Sequence, residues 1–172
     1  MNNYIIETKR LVLRKIEKSD FNEIAKILKD IEIMYAWEKS FSDDEVLDWI
    51  DKNISRYEKD GFSYFLAIRK EDKKVVGLMG PLVENIENKD YIGVAYILNK
   101  KYWGNGYALE GIKECVNYAF DKLKAKEVIA QIRPENISSR KVAEKLNMKL
   151  VGEFVKVYEG KEMPHLIYSI TK

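Results

Sequence analysis

Tyr96-Ile97-Leu98-Asn99-Lys100-Lys101-Tyr102-Trp103-Gly104-Asn105-Gly106-Tyr107-Ala108-Leu109-Glu110 carries the chain from a strand, through a glycine turn, into a helix. The stretch opens on bulky apolar residues, and Gly104 and Gly106 punctuate the turn. Ala108, Leu109, Ile112, Cys115, Val116, Ala119, Phe120 and Leu123 then recur at helical intervals. A helix that starts here leaves its first backbone N–H groups without intrahelical acceptors, at the positive end of its dipole. Glycines permit positive φ and let an anion reach the backbone without meeting a Cβ, so the turn suits a pyrophosphate. A Gly-x-Gly between strand and helix is also an ordinary tight turn, and spacing alone leaves both readings open.

Competing chemistries fail on their own requirements. There is no Gly-x-x-x-x-Gly-Lys-Ser/Thr, and Gly104-Asn105-Gly106 is not completed to Gly-x-Gly-x-x-Gly because Leu109 holds the sixth position. Triphosphate hydrolysis and dinucleotide binding therefore lose support. A hydrolytic triad would need His165, which sits between Pro164 and Leu166 in an expected terminal strand. One cysteine, Cys115, cannot form an internal disulfide, and with one histidine it cannot supply most of a zinc site, so no metal is expected. The formal charge is +2, from 30 Lys+Arg against 28 Asp+Glu, too balanced to hold a nucleic-acid backbone. Met1 to Arg14 alternates apolar residues with Glu7, Lys9, Arg10 and Arg14, neither a signal peptide nor a membrane span, which makes a cytoplasmic location the expectation.

At 172 residues, without repeats or a Pro/Gly-rich linker, the chain reads as a single domain over 1–172. A first strand is expected over 11–15, then a helix capped by Asp20 and Glu23 with Phe21, Ile24, Ala25 and Leu28 on one face. Ser42 and Glu45 form a second capping box, opening a helix striped by Val46, Leu47, Ile50, Ile54 and Tyr57 and stopped near Gly61. Strands follow over 62–70, 74–83 and 91–98, with a polar loop over 84–90. After the long helix come a strand over 127–133, a helix over 136–146, and strands over 150–158 and 163–170. The order is that of an α+β or mixed α/β sheet.

The chain resembles the GNAT superfamily of acetyltransferases, more closely the branch typified by the ribosomal-protein alanine N-acetyltransferases. Three ordered motifs carry the likeness. Thr8-Lys9-Arg10-Leu11-Val12-Leu13-Arg14 resembles the opening strand, Tyr96 to Glu110 the coenzyme-binding strand, turn and helix, and Asn136-Ile137-Ser138-Ser139-Arg140-Lys141-Val142-Ala143-Glu144-Lys145-Leu146-Asn147-Met148 the downstream helix. The resemblance implies a GNAT fold: a mixed, mostly antiparallel sheet of about seven strands, splayed between the fourth and fifth, with about four helices. It also implies acetyl-coenzyme A as cosubstrate and an amine as acceptor, either a protein N-terminus or a small amine such as a polyamine, with direct transfer in a ternary complex. Monomer and homodimer both remain open. Strand residues Tyr96, Ile97 and Leu98 would face the pantetheine arm, with unpaired backbone groups at Ile97 and Leu98. In the turn that begins at Lys101, the N–H groups of Trp103, Gly104, Asn105, Gly106, Tyr107 and Ala108 would hold the pyrophosphate. Asn136 would bond the pantetheine, and Ser139 would approach the thioester sulfur as the catalytic candidate. Lys100, Lys101, Arg140, Lys141 and Lys145 are candidates for the ribose phosphate.

Departures from the family pattern bear on mechanism. Lys101 stands where Arg or Gln is usual, and Asn147 where a Gly commonly ends the helix. Many relatives place a Glu base where this chain has Gly93, and a Tyr acid where it has Ala143. The base is thus open among Glu38, Glu84 and Asp90, since the arriving ammonium must lose a proton before it attacks. Trp37, Glu38 and Glu84 are expected near the acceptor, because aromatic faces and carboxylates suit a cationic amine. Trp49 and Cys115 read as core. Gly93 and Ala143 also motivate a second class of function, a noncatalytic acyl-coenzyme A sensor.

Overall fold

The computed structural model describes residues 3–172; Met1 and Asn2, which open the alternating N-terminal stretch, lie outside the described residues. The elements are β1 (Tyr4–Glu7), β2 (Leu11–Lys15), α1 (Phe21–Leu28), α2 (Asp43–Lys59), β3 (Phe65–Arg69), β4 (Val75–Ile86), β5 (Lys89–Leu98), α3 (Tyr107–Asp121), β6 (Glu127–Ile132), α4 (Ile137–Lys145), β7 (Lys149–Tyr158) and β8 (Lys161–Thr171). Among the described residues the strands form one sheet in the order β1-β2-β3-β4-β5-β6-β8-β7, antiparallel throughout except for β5 with β6. The expected mixed sheet and four helices are present, with eight strands in place of about seven. The additional one, β1, has four residues of which only Ile6 is buried, too little alternation to read as a strand from sequence.

Local chemistry explains most elements. Ser42 Oγ accepts from the Glu45 backbone at 3.2 Å and Glu45 Oε1 from the Ser42 backbone at 3.1 Å, the expected capping box of α2. Val46, Ile50 and Tyr57 are buried beneath it, while Leu47 is 46% exposed and Trp49 packs on Tyr64 with ring centroids 5.3 Å apart. Asp20 does not cap α1 as expected. Its carboxylate is taken by Arg14 at 2.8 and 2.9 Å and by the Glu17 backbone at 2.8 Å, within a 3-10 turn over Lys18–Asp20.

The polar loop expected over 84–90 is instead sheet. β4 runs to Ile86 and β5 starts at Lys89, joined by Glu87 and Asn88 at φ 51° and 65°. Two consecutive positive φ values make the hairpin turn whose twist matches its strands. Glu84 is thereby held in register opposite Tyr91 rather than on a free loop.

α3 lies on the sheet, close to β4 because Gly111 has no side chain: a Cβ there would sit 2.1 Å from Met79 Sδ. Its first turn is tied to the β1–β2 turn by Glu110, which accepts from Thr8 Oγ1 (2.6 Å), the Arg10 backbone (2.8 Å) and Arg10 Nε (2.7 Å). Burial pushes the Glu110 carboxyl up, but these donors outweigh it and hold the group below its usual range. A depressed carboxyl contributes stability that is present above the unfolded value and lost as pH falls through the folded one. Glu110→Ala should therefore lower the unfolding free energy by about 2 kcal/mol at neutral pH. In denaturant titrations the gap from wild type should shrink once pH falls below about 4; a pH-independent gap would mean that packing, not the carboxylate, holds this corner.

Candidate active site

β5 and β6 pair in parallel only at Ile92 with Val128 and Gly93 with Ile129. Past Gly93, β5 stays with β4 to Leu98 and β6 stays with β8 to Ile132, so the two strands part. The gap is a cleft of about 590 Å³, walled by β5 from Val94 to Leu98, by β6, and by the starts of α3 and α4. A strand edge turned to such a gap keeps hydrogen-bonding groups for a ligand. Ile97 and Leu98 differ in this respect. The Ile97 carbonyl faces β4, 2.6 Å from where a Cβ on Gly77 would stand, and the Leu98 carbonyl accepts from Trp103 Nε1 at 3.2 Å.

One end of the cleft is the start of α3. Gly104 and Gly106 take φ 78° and 79°, the left-handed region in which a side chain is strained, so the turn needs its glycines. The first helical amides lack intrahelical acceptors. Glu110, the acidic residue of this first turn, has its carboxylate bound to Thr8 and Arg10 and does not fill the anion position. Trp103, Gly104, Gly106, Tyr107 and Ala108 line the cleft, whereas Lys101 and Asn105 do not. The Asn105 amide donates to the Tyr102 and Trp103 carbonyls, both at 3.1 Å, and shapes the turn. Among the candidate phosphate cations, Lys141 and Lys145 line the cleft. Lys100 is paired with Asp30 at 2.9 Å, and Arg140 donates to Tyr168 Oη and the Pro134 carbonyl, each at 3.1 Å.

Midway, Asn136 caps α4 by accepting from the Ser139 backbone at 3.3 Å. Its Oδ1 also accepts from Tyr35 Oη at 2.6 Å, which ties the 3-10 turn Tyr35–Trp37 to α4. Ser139 Oγ lies 3.0 Å from Tyr96 Oη. Burial pushes the Tyr96 phenol up, against the opposing effect of the Ser139 bond, so it stays protonated at neutral pH. Neither tyrosine's partner follows from spacing, since each bond joins residues about 40 or 100 positions apart.

At the far end stands Glu84. Among Glu38, Glu84 and Asp90, it alone lines the cleft. Asp90 accepts from Asn85 at 2.8 Å in the hairpin, and Glu38 lies 3.6 Å from Arg133 and 3.8 Å from Lys161. Leu82 faces Gly93 across β4 and β5, which puts Glu84 on the same face as Gly93 and diagonal to it. A Cβ on Gly93 would meet Glu84 Cγ at 2.7 Å. The space of the absent side chain is thus taken by a carboxylate-bearing one from the neighbouring strand. Burial pushes the Glu84 carboxyl above its ordinary value, against Lys156, Arg56 and a 3.0 Å bond from Gln131. Trp37 also lines this end.

His165 lines the cleft too, which its sequence neighbours did not signal. Its Nδ1 is 2.9 Å from the Met163 carbonyl; a carbonyl only accepts, so Nδ1 carries the proton and Nε2 is left as an acceptor. Burial lowers its pKa, which keeps the ring neutral at pH 7. Cys115 is fully buried, its thiol pushed up by burial, and takes no part in the cleft. No group of three His, Cys, Asp or Glu placed to hold a metal occurs among the described residues, and no described helix is long and apolar enough to cross a membrane.

Residues 10–149 match the family model described as acetyltransferase (GNAT) domain. The uncharacterized N-acetyltransferase YnaD of Bacillus subtilis is 27% identical over 157 residues, which is 88% of this chain and 86% of that protein. A GNAT-family acetyltransferase from Bacillus anthracis superposes with a TM-score of 0.82 at 25% identity, covering 96% of this chain and 97% of that one. The ribosomal L7/L12 α-N-protein acetyltransferase RimL, solved with coenzyme A, gives a TM-score of 0.79 at 16% identity, covering 98% of this chain and 97% of that one.

Carboxyl-detected NMR should find Glu84 titrating above the ordinary 4.5 of a glutamate. Gln131→Ala, which removes a donor to the ionised form, should move it higher still. A titration at or below the ordinary value would place Glu84 in water rather than in the cleft.

Proposed function

Because this chain belongs to the GNAT family of acetyltransferases, we propose that it binds acetyl-coenzyme A in the β5–β6 cleft and passes the acetyl group directly to a primary amine, with Glu84 as the base. Two features support the coenzyme's position. The first turn of α3 offers free amides at a glycine turn, which suits a pyrophosphate. RimL, of the same fold, is solved with coenzyme A.

The observation that carries the catalytic assignment is the placement of Glu84 Cγ in the space that Gly93 leaves empty. A base must stand beside the arriving ammonium, and its pKa must approach the working pH to be effective. Glu84 lines the cleft, and burial moves its carboxyl up from its ordinary value, in the direction a base requires. In the reaction Glu84 takes a proton from the ammonium, and the freed nitrogen attacks the thioester carbonyl. The new C–N bond forms as the C–S bond breaks, the thiolate takes a proton from the Tyr96 and Ser139 hydroxyl pair, and the second proton that the acylated nitrogen must lose restores that pair. That pair provides the phenol that Ala143 cannot. The two departures that favoured a noncatalytic sensor are in this way each offset by a residue from another element.

His165 is a second reading for the base, favoured by its unoccupied Nε2 on the cleft wall. Kinetics with an accepted amine separate the two. Glu84→Gln should lower kcat by about 100-fold or more, leave acetyl-coenzyme A affinity unchanged, and abolish the acid limb of the pH profile. Gly93→Ala should also lower kcat, because its Cβ displaces Glu84. An unaltered kcat in Glu84→Gln would remove this role, and loss of the limb in His165→Gln instead would transfer it. Binding of the coenzyme without turnover of any amine would return the sensor reading.

A further inference from the structure

Glu84, Gly93 and Gln131 meet on one face of the sheet from three neighbouring strands. Gly93 on β5 pairs with Ile129 on β6 in the last rung before the two strands part, and Gln131, two residues on, is the next residue of that face. Glu84 reaches the same face from β4, on the other side of Gly93, where a Cβ would meet its Cγ at 2.7 Å. Two strand spacings, roughly 10 Å, separate β4 from β6, so a contact between them needs a long side chain from each and none between. The sequence meets all three conditions, and Gln131 Nε2 donates to Glu84 Oε2 at 3.0 Å across the bare glycine. A carboxylate only accepts, which turns the NH2 of the amide, not its carbonyl, toward Glu84. Among the described residues no other hydrogen bond reaches this carboxylate, so Glu84 lines the cleft with Oε1 left without a partner. Lys156 and Arg56 act on it by charge alone. Gln131 is itself held in the ladder with β8, opposite Ile167, so the donor stands on a fixed strand.

We propose that Gln131 is a positioning residue: it fixes Oε2 of Glu84 and thereby presents Oε1 to the acceptor amine. This rests on the reading of Glu84 as the base. A carboxylate on a flexible stem turns freely unless one oxygen is held, and a misaimed base loses rate without losing substrate. A neutral amide suits the task better than a cation, because it orients the carboxylate while lowering its basicity less than a full charge would. Gly93 and Gln131 are then two parts of one arrangement, the first clearing the path of Glu84 and the second holding its end.

Steady-state kinetics test this with whichever of spermidine, phenethylamine and an alanine-initiated peptide is turned over fastest. Gln131→Met keeps the length of the side chain without the bond. It should lower kcat roughly tenfold, leave the KM of acetyl-coenzyme A unchanged, and move the acid limb of the pH profile upward, since the ionised carboxylate loses its donor. Gln131→Lys keeps a donor but adds a charge, and should move that limb downward. On a Glu84→Gln background, Gln131→Met should cost nothing further in kcat, because residues that act as one unit are not additive. A limb that stays in place in both variants, or a tenfold loss that recurs in full on the Glu84→Gln background, would overturn the inference. An unaltered kcat in Glu84→Gln alone would instead remove the base reading, and the inference with it.

Discussion

The parallel ladder between β5 and β6 stops after two residue pairs, and the rest of the molecule is arranged around that interruption. Each strand is fully engaged on its other side, β5 with β4 through Leu98 and β6 with β8 through Ile132. The sheet can therefore open without unravelling. Backbone groups stranded at the opening must still be bonded. The Leu98 carbonyl is met by the Trp103 indole, and the start of α4 is closed by the Asn136 cap. What remains is a cleft with polar groups at fixed positions and apolar walls between them, the composition of a small-molecule site.

The anchoring of α3 converts that cleft into a directional one. Gly111 lets the helix lie against Met79, and Glu110 locks its first turn to Thr8 and Arg10. The positive end of the helix is fixed at one mouth of the gap, and Glu110, the acidic side chain of its first turn, is occupied by Thr8 and Arg10. Glu84 and Lys156 line the cleft away from that turn. An extended cofactor with an anionic head and a reactive tail has one orientation that satisfies both ends.

Much of this was legible in the order of residues. The glycine turn, the helical spacing after it and the capping box of Ser42 and Glu45 each report a local constraint, and local constraints survive in sequence. The resemblance to acetyltransferases added the splay. What stayed hidden was relational. Glu84 reads as part of a polar loop because Glu-Asn-Ile-Glu-Asn-Lys-Asp carries almost no apolar alternation, although its pairing with β5 puts it in the sheet. That it fills the space of Gly93 depends on a diagonal neighbour across two strands. Tyr96 with Ser139, and Tyr35 with Asn136, are likewise brought together by folding from distant parts of the chain. Asp20 had an appropriate spacing for a cap but found a stronger partner in Arg14, a tertiary choice that a local motif does not record.

The central claim is that the glycine turn at the start of α3 holds the coenzyme's pyrophosphate. Calorimetric titration with acetyl-coenzyme A tests it most directly, comparing the wild type with a Gly104→Val/Gly106→Val variant whose side chains would crowd the phosphate path at φ 78° and 79°. Saturable binding by the wild type, lost in a variant that still melts cooperatively, is the predicted result. No binding by the wild type, or equal binding by both proteins, would contradict the claim and move the coenzyme away from this turn.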